Sequence, residues 1–521
     1  MPRSAGGRSS ALVAAGILLS RIAGFIRQRV FSYYFGLGYV ADALGASFRI
    51  PNLLQNLFGE GVLSASFIPV YARLLGQGRE EEAGKVAGAV AGLLGLVVAV
   101  IVALGVGATP LVVSVLAPGF TGEKRLLTIG LVRILFPATG ILVFSAWCLG
   151  ILNSHRKFFV SYAAPVVWNA AIIAAALLGG WRRAATGDLA VLLAWGAVAG
   201  SVLQVLVQLP MVLALARGLR FSASTADPEV RTVVRNFWPA LVGRGVNQLS
   251  AFVDTVISSL LGDDPVGALA NAQLLYTLPV SLFGMSVSAA ALPVMSATQG
   301  SETERHAALR AQVEEGLHRI AYFVVPCAMA FLALGQVLVG ALFQTGRFRA
   351  VDSRYVWAIL AGSAVGLLAS TLSRLSASTF YALGDTRTPL RYAIVRVALT
   401  TVLGFLCSVP LPPLLGLELK WGAVGLTASA GFSAWVEFAL LRRGLARRIG
   451  ATHFAPWYLA KLWGAAAGAG VVAFALWRAV RLGPVSTGVA VLVPYALLYG
   501  LLTLALRIPA ARAVLAWRPG A

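Results

Sequence analysis

The sequence predicts an all-α polytopic membrane protein of fourteen transmembrane helices, built as two six-helix bundles related by a pseudo-two-fold, plus two C-terminal helices. Three observations carry this expectation. Of 521 residues, 58% are hydrophobic and only 12% charged, and the mean hydropathy of +0.81 would precipitate a chain exposed to water. Apolar runs of spanning length, about 20 residues, recur fourteen times, and no polar stretch between them is long enough for a soluble domain. Finally, LFGEGVLSASFIPV at 57–70 returns as LFGMSVSAAALPV at 282–294, one residue shorter. The offset, about 225 residues or six spans, gives both halves the same orientation, the signature of a parallel internal repeat.

The runs fall near 10–35, 40–74, 84–116, 126–152, 158–180, 188–216, 230–261, 265–297, 314–344, 354–382, 388–410, 420–441, 457–480 and 484–506. They define a first lobe over 1–225, a second over 226–450 and a C-terminal pair with its tail over 451–521. One alternating set of loops is rich in basic residues, including Arg73, Arg79, Lys85, Arg156, Lys157, Arg217, Arg220, Arg387, Arg391 and the cluster Arg442, Arg443, Arg447 and Arg448. The other set is poorer and includes the acidic loop Gly262–Pro265. The positive-inside rule then places both termini in the cytoplasm. The same distribution explains the net charge of +22 without nucleic acid, because the cations sit in short loops at the height of anionic lipid headgroups. Cys148, Cys327 and Cys407 lie far apart in apolar runs, and the four histidines lack metal-ligand spacing. The opening MPRSAGGRSS and its apolar run lead straight into Arg21 without a cleavage site, which reads as an uncleaved first span.

The stretch from Ser20 to Leu75 is the least ordinary part of the chain. It is apolar enough for a membrane, yet it holds Arg21, Arg27, Arg29, Asp42, Arg49, Asn52 and Glu60, and it is broken by Gly24, Gly36, Gly38, Pro51, Gly59, Gly61 and Pro69. A charge at bilayer depth costs about 2.5–3.5 kcal/mol on insertion scales, and it is retained mainly where it faces protein or water. Irregular backbone at depth obeys the same restriction. Both signals predict that the first two spans line a cationic chamber. Arg21 is roughly 20 Å along the helix from Arg8, too deep to snorkel to the cytoplasmic end, whereas Arg29, near Tyr33 and Tyr34, can reach the opposite surface. In the second half, Arg244 and Asp254 lie in the seventh span, and Arg374 and Arg396 in the tenth and eleventh. Asp254 can pair with a nearby arginine, bind a coupling cation or satisfy local polarity, and pairing is the preferred reading.

SRIAGFIRQ (20–28), ADALGASFRIPNLLQNLFGEGVLSASFIPV (41–70), APG (117–119), ILNS (151–154), LPVSLFGMSVSAAALP (278–293) and FYALGDTRTPLR (380–391) together resemble the MurJ (MviN) lipid II flippases of the multidrug/oligosaccharidyl-lipid/polysaccharide exporter superfamily. The resemblance implies two six-helix bundles around a cationic cavity, two C-terminal helices forming a groove for the undecaprenyl tail, and transfer of the peptidoglycan precursor lipid II from the inner to the outer leaflet. It places the essential cavity arginines at Arg21 and Arg27, the second-helix acid at Asp42, the motif glutamate at Glu60 and the tenth-span basic residue at Arg374. This sequence departs from the family at Gln28, Gln55, Leu274 and Thr277, and around Thr400 and Gly404 it lacks the acidic and amide groups of the sodium site seen in some members.

Arginine suits this task on chemical grounds as well. Its permanently charged planar fork matches phosphate oxygens, and an anionic sugar-diphosphate head cannot cross hydrocarbon unaided. Asp42 and Glu60 can neutralise those arginines in one state and release them in another. With no GxxxxGK[ST] in the sequence and no cofactor expected, the driving force is expected to be the membrane potential or a cation gradient. The expected partners are lipid II, anionic lipids and cell-wall synthesis enzymes, and the expected location is the bacterial inner membrane. The competing readings are a flippase for another lipid-linked oligosaccharide, a multidrug exporter, a membrane scaffold or a polytopic glycosyltransferase. The last would need surface acids on a sizeable external loop, and here the main acidic run, Glu80–Glu82, is on the side assigned to the cytoplasm.

Overall fold

A computed structural model describes residues 4–58, 60–296 and 301–516, with side chains described at all of these except 4–15, 17, 50, 51, 54, 60, 242–244, 246, 247, 249, 289 and 513–516. The described secondary structure is helical throughout. Packing divides the chain into two compact units, Met1–Ser259 and Leu260–Ala521. The first contains α1 (Ser4–Phe35), α2 (Tyr39–Phe58), α3 (Glu60–Ser66), α4 (Ile68–Gly76), α5 (Glu80–Gly107), α6 (Thr109–Leu116), α7 (Gly122–Ser154), α8 (Phe158–Trp181), α9 (Thr186–Leu215) and α10 (Pro228–Ser259). The second contains α11 (Pro265–Pro279), α12 (Ser286–Ser296), α13 (Glu302–Ala333), α14 (Gly335–Phe343), α15 (Ala350–Ala382), α16 (Arg387–Ser408), α17 (Leu411–Leu414), α18 (Gly422–Ile449), α19 (Pro456–Ala479), α20 (Pro484–Ala505) and α21 (Pro509–Ala516).

Among the described residues, eleven helices are long and apolar enough to cross a membrane. The charged helices α1, α2 and α10 are not among them. In α2 and α10 the reason is polarity, since Asp42 and Arg49 interrupt the first and Gln248 and Asp254 the second. Several expected spans are also broken. The run 84–116 divides into α5 and α6 at Ala108, where Pro110 opens the new helix without needing an N–H donor. The run 314–344 divides into α13 and α14 at Leu334. Both copies of the repeat carry a described irregularity, the first a turn at Phe67 between α3 and α4 and the second a wide i→i+5 turn at Val280–Met285 that follows Pro279. The packing boundary at Ser259/Leu260 comes one long helix after the sequence boundary at 225/226, because α10 packs on α2 and α3.

In the first unit α7 is the central element. One buried cluster joins it to α4 and α5 through Phe67, Tyr71, Leu94, Trp147 and Ile151. A second joins it to α2, α8 and α9 through Leu44, Leu131, Ile172 and Leu193. Leu96, Leu104, Leu203 and Leu206 remain exposed, the outward apolar surface a lipid-facing bundle requires. The connection from α9 to α10 lies along α5. A methyl group at Gly84, Gly88 or Gly92 would sit 1.9, 2.1 and 2.1 Å from the carbonyl oxygens of Arg217, Arg220 and Ser222, so only glycine admits that chain.

In the second unit α18 packs against both α15 and α16 at glycine contacts. A Cβ on Gly366 would meet Gly431 Cα at 2.3 Å, and one on Gly425 would meet Cys407 O at 2.3 Å. The C-terminal pair α19 and α20 docks on α13 and α14. Pro326, inside α13, has no N–H for the carbonyl of Tyr322 four residues back, and the Tyr499 hydroxyl of α20 donates to that oxygen at 2.7 Å. Tyr495 donates to Pro326 O, also at 2.7 Å. Tyr499→Phe should therefore destabilise the protein by about 1–3 kcal/mol, the cost of a buried carbonyl left without a donor. A lower melting temperature in detergent, set against exposed Tyr381→Phe as control, checks this; equal melting of the two variants would assign Tyr499 no such role.

Candidate functional site

Arg27 occupies the most built environment of the predicted cations. Its guanidinium carbon lies 5.1 Å from the Trp168 ring centroid and 5.7 Å from that of Phe31. Trp168, on α8, is fixed by its own indole N–H, which donates to Ala197 O on α9 at 3.1 Å. Phe48 of α2 closes the group, 6.3 Å from Trp168 and 6.0 Å from Phe31. Aromatic faces attract the cation while leaving its N–H edge available, and Arg27 Nε is buried with no acceptor among the described residues. Arg21, two turns earlier, is exposed. The Arg27 guanidinium is thus held between two aromatic rings, from α1 and α8, with Phe48 of α2 packed against both.

Asp42 takes a different place. It lies in the first turn of α2, fully buried, and its Oδ2 is 2.6 Å from Lys124 Nζ in the first turn of α7. A helix N-terminus favours an anion and disfavours a cation, so Asp42 suits its position, while Lys124 is stabilised by Asp42 and by the Phe120 ring at 4.1 Å. Arg49 reaches from α2 to α10, donating to Ala251 O at 3.0 Å and to Thr255 Oγ1 at 2.7 Å, with Asp254 of the same α10 turn in electrostatic reach. Asn52, one turn after Arg49, is exposed. The side chains of Glu60 and Arg244 lie outside the described residues.

In the second unit Arg374 is exposed while its neighbours Ser373, Leu375 and Ser376 are buried. Arg396 on α16 donates through Nη1 to Glu437 Oε2 of α18 at 3.1 Å. Tyr276 of α11 hydrogen-bonds Ser370 one turn from Arg374, at 2.7 Å. Beyond the helices, Asp385 in the FYALGDTRTPLR motif accepts from the backbone N–H groups of Arg387 and Thr388 and from the Thr388 hydroxyl. These donors hold its carboxyl below the usual carboxylate range, and Arg448 pairs with it at 3.3 Å. The motif is therefore a capped turn that starts α16.

Sequence reasoning missed Trp168, Lys124 and Glu437. Glu437 had a signal, being the one acid inside the run 420–441. Lys124 resembled a loop cation beside Arg125. Trp168 had no signal, since its role depends on α1 lying against α8.

A bundle of long apolar helices with arginines held at depth by aromatic rings and single acids is a multi-pass membrane transporter fold. The architecture superposes on a structure titled lipid II flippase MurJ, inward closed conformation, with a TM-score of 0.78 over 95% of this chain and 99% of that one at 20% identity. An inward-facing multidrug resistance MATE family transporter of the MOP superfamily gives 0.67 over 82% and 95% at 19% identity. The chain belongs to the MurJ lipid II flippase family, whose profile matches residues 31–493. It is 31% identical to the lipid II flippase MurJ of Burkholderia cenocepacia over 450 residues, 85% of this chain and 84% of the relative. It is 32% identical to the probable lipid II flippase MurJ of Bdellovibrio bacteriovorus over 441 residues, 83% and 81% of the two chains.

Proposed function

We propose that this protein flips lipid II, the undecaprenyl-diphosphate-linked peptidoglycan precursor, from the inner to the outer leaflet of the bacterial cytoplasmic membrane. The observation that carries the reading is family membership over nearly the whole chain, with Arg27 presented on its aromatic platform where an anionic head needs a fixed donor. In this reading Arg21, Arg27 and Arg374 engage the diphosphate, and α19 and α20 offer their groove to the polyprenyl tail. The two lobes alternate access, both termini are cytoplasmic, and the basic cytoplasmic loops meet anionic lipids. The driving force is the membrane potential or an ion gradient, and cell-wall synthesis enzymes are the natural neighbours of such a flippase.

Depletion in the native host tests the reading. Lipid II is expected to accumulate in the inner leaflet and to reach the outer leaflet again on re-expression. Accumulation of a different lipid-linked oligosaccharide, or of none, would overturn it.

A further inference from the structure

Between α16 and α18 the chain does not form the polar loop that usually joins two spans. Residues 411–417 read LPPLLGL, and all four leucines are exposed, Leu414 at 81% and Leu415 at 63%. A contiguous apolar patch of this kind marks a surface that meets either another protein or a membrane. The backbone beneath it is closed. α17 is a single helical turn that ends in a double cap, with Gly416 at φ +70°, its N–H donating to Pro413 O at 3.1 Å and the Leu417 N–H to Pro412 O at 2.9 Å. The N–H groups of Val409 and Leu415 are also donated, to Phe405 O and Leu411 O. Pro410, Pro412 and Pro413 have no N–H at all. Water would satisfy open donors at no cost, whereas hydrocarbon penalises each one.

The level of this knob follows from the helices on either side. From Arg391, the last exposed basic residue at the start of α16, to Ser408 is roughly 26 Å of helix, close to the hydrocarbon thickness. A Cβ on Gly422 would meet Ser408 O at 2.0 Å, so the segment leaves α16 and enters α18 at one height. That height carries an aromatic pair, since the Tyr355 and Trp421 rings lie 5.4 Å apart and the Tyr355 hydroxyl donates to Lys420 O at 2.6 Å. Tyr and Trp concentrate at headgroup level. The two charges of the connection, Glu418 and Lys420, pair with each other at 2.5 Å. Below the knob, Val402, Phe405 and Leu406 continue the exposed apolar surface down α16.

We propose that the 411–417 knob is an interfacial anchor, which lays Leu411, Leu414, Leu415 and Leu417 into the headgroup–acyl boundary of the lipid at that end of the bundle. Its occupant is lipid because the patch is continuous with the outward apolar face of α16 and because its main-chain donors are already spent. A docking site for a polar protein loop would keep donors open. The leaflet, and nothing else in the inference, rests on the topology proposed above, which makes it the outer one.

The test places an environment-sensitive NBD label on Leu414→Cys, with Leu417→Cys as a second site in case the first disturbs the turn. The protein is full-length, in single-copy nanodiscs of phosphatidylethanolamine and phosphatidylglycerol. Unmutated protein carried through the labelling is the blank for Cys148, Cys327 and Cys407. Exposed Glu123→Cys is the water-facing control and Val402→Cys the lipid-facing one. The knob labels should emit to the blue of the Glu123 label, and aqueous iodide should quench them several-fold less. Lipids with a nitroxide near the headgroup end of the acyl chain should quench them more than lipids with one near the methyl end, and Val402 should show the deeper profile. Iodide quenching equal to that of Glu123, without quenching by nitroxide lipids, would overturn the inference and leave the leucines as a docking face for a protein or a second copy. Quenching strongest from the methyl end would overturn the interfacial placement. A reversed topology would change the leaflet and none of these readings.

Discussion

Arg27→Ala is expected to abolish rescue of cells depleted of their own lipid II flippase, with the variant still inserted and folded. Each charge-assisted hydrogen bond to an anion contributes about 1.5–3 kcal/mol, so loss of a bidentate pair removes roughly two decades or more of affinity for the transported head. Stability should hold, because no carboxylate among the described residues forms an ion pair with Arg27, and an arginine at depth costs energy to keep there. Two milder variants grade the mechanism. Arg27→Lys keeps the charge but loses the fork, and should be intermediate. Trp168→Leu removes a cation–π contact of about 0.5–2 kcal/mol and should weaken transport several-fold through misorientation of the guanidinium. Complementation, membrane abundance and melting are measured together. Full rescue by Arg27→Ala removes the residue from the mechanism, and a collapse in abundance makes its role structural.

Asp42→Asn should act in the opposite way, through folding first. It takes away the counter-charge of a lysine that is itself only 8% exposed, and breaking a buried pair by removing one partner costs about 3–5 kcal/mol. Melting temperature and abundance should fall together. Asp42→Leu combined with Lys124→Met should recover much of the loss, since replacing both buried charges by apolar groups is often neutral or stabilising. Normal abundance with lost transport in Asp42→Asn would move the residue from scaffold to substrate handling.

The helical architecture was legible because the bilayer imposes one rule on every span: a long apolar run with its backbone bonds made internally. The breaks at Ala108 and Leu334 were not, since apolar composition continues across them. In the site, Arg27 stood out as a charge inside an apolar helix, but what positions it did not. Trp168 is separated from it by 141 residues of sequence, and only the packing of α1 on α8 brings them together. The Asp42–Lys124 pair was hidden differently: Lys124 sits at the edge of a run, where a solvated cation and a buried one look alike. Arg49 carries the reverse lesson, because its depth pointed to the chamber while its hydrogen bonds run to α10.

The glycine face of α5 has a consequence for biosynthesis. Gly92 is made 125 residues before Arg217. At ribosomal rates of about 5–20 residues per second, the groove then waits roughly 6–25 seconds for the peptide that fills it, longer than helices take to form or collapse. For that interval α5 presents bare backbone while α6 through α9 enter the bilayer. The first unit can close only when its last connection has been translated, so a ribosome stalled before residue 223 should hold a nascent chain that proteases and chaperones still recognise as unfinished.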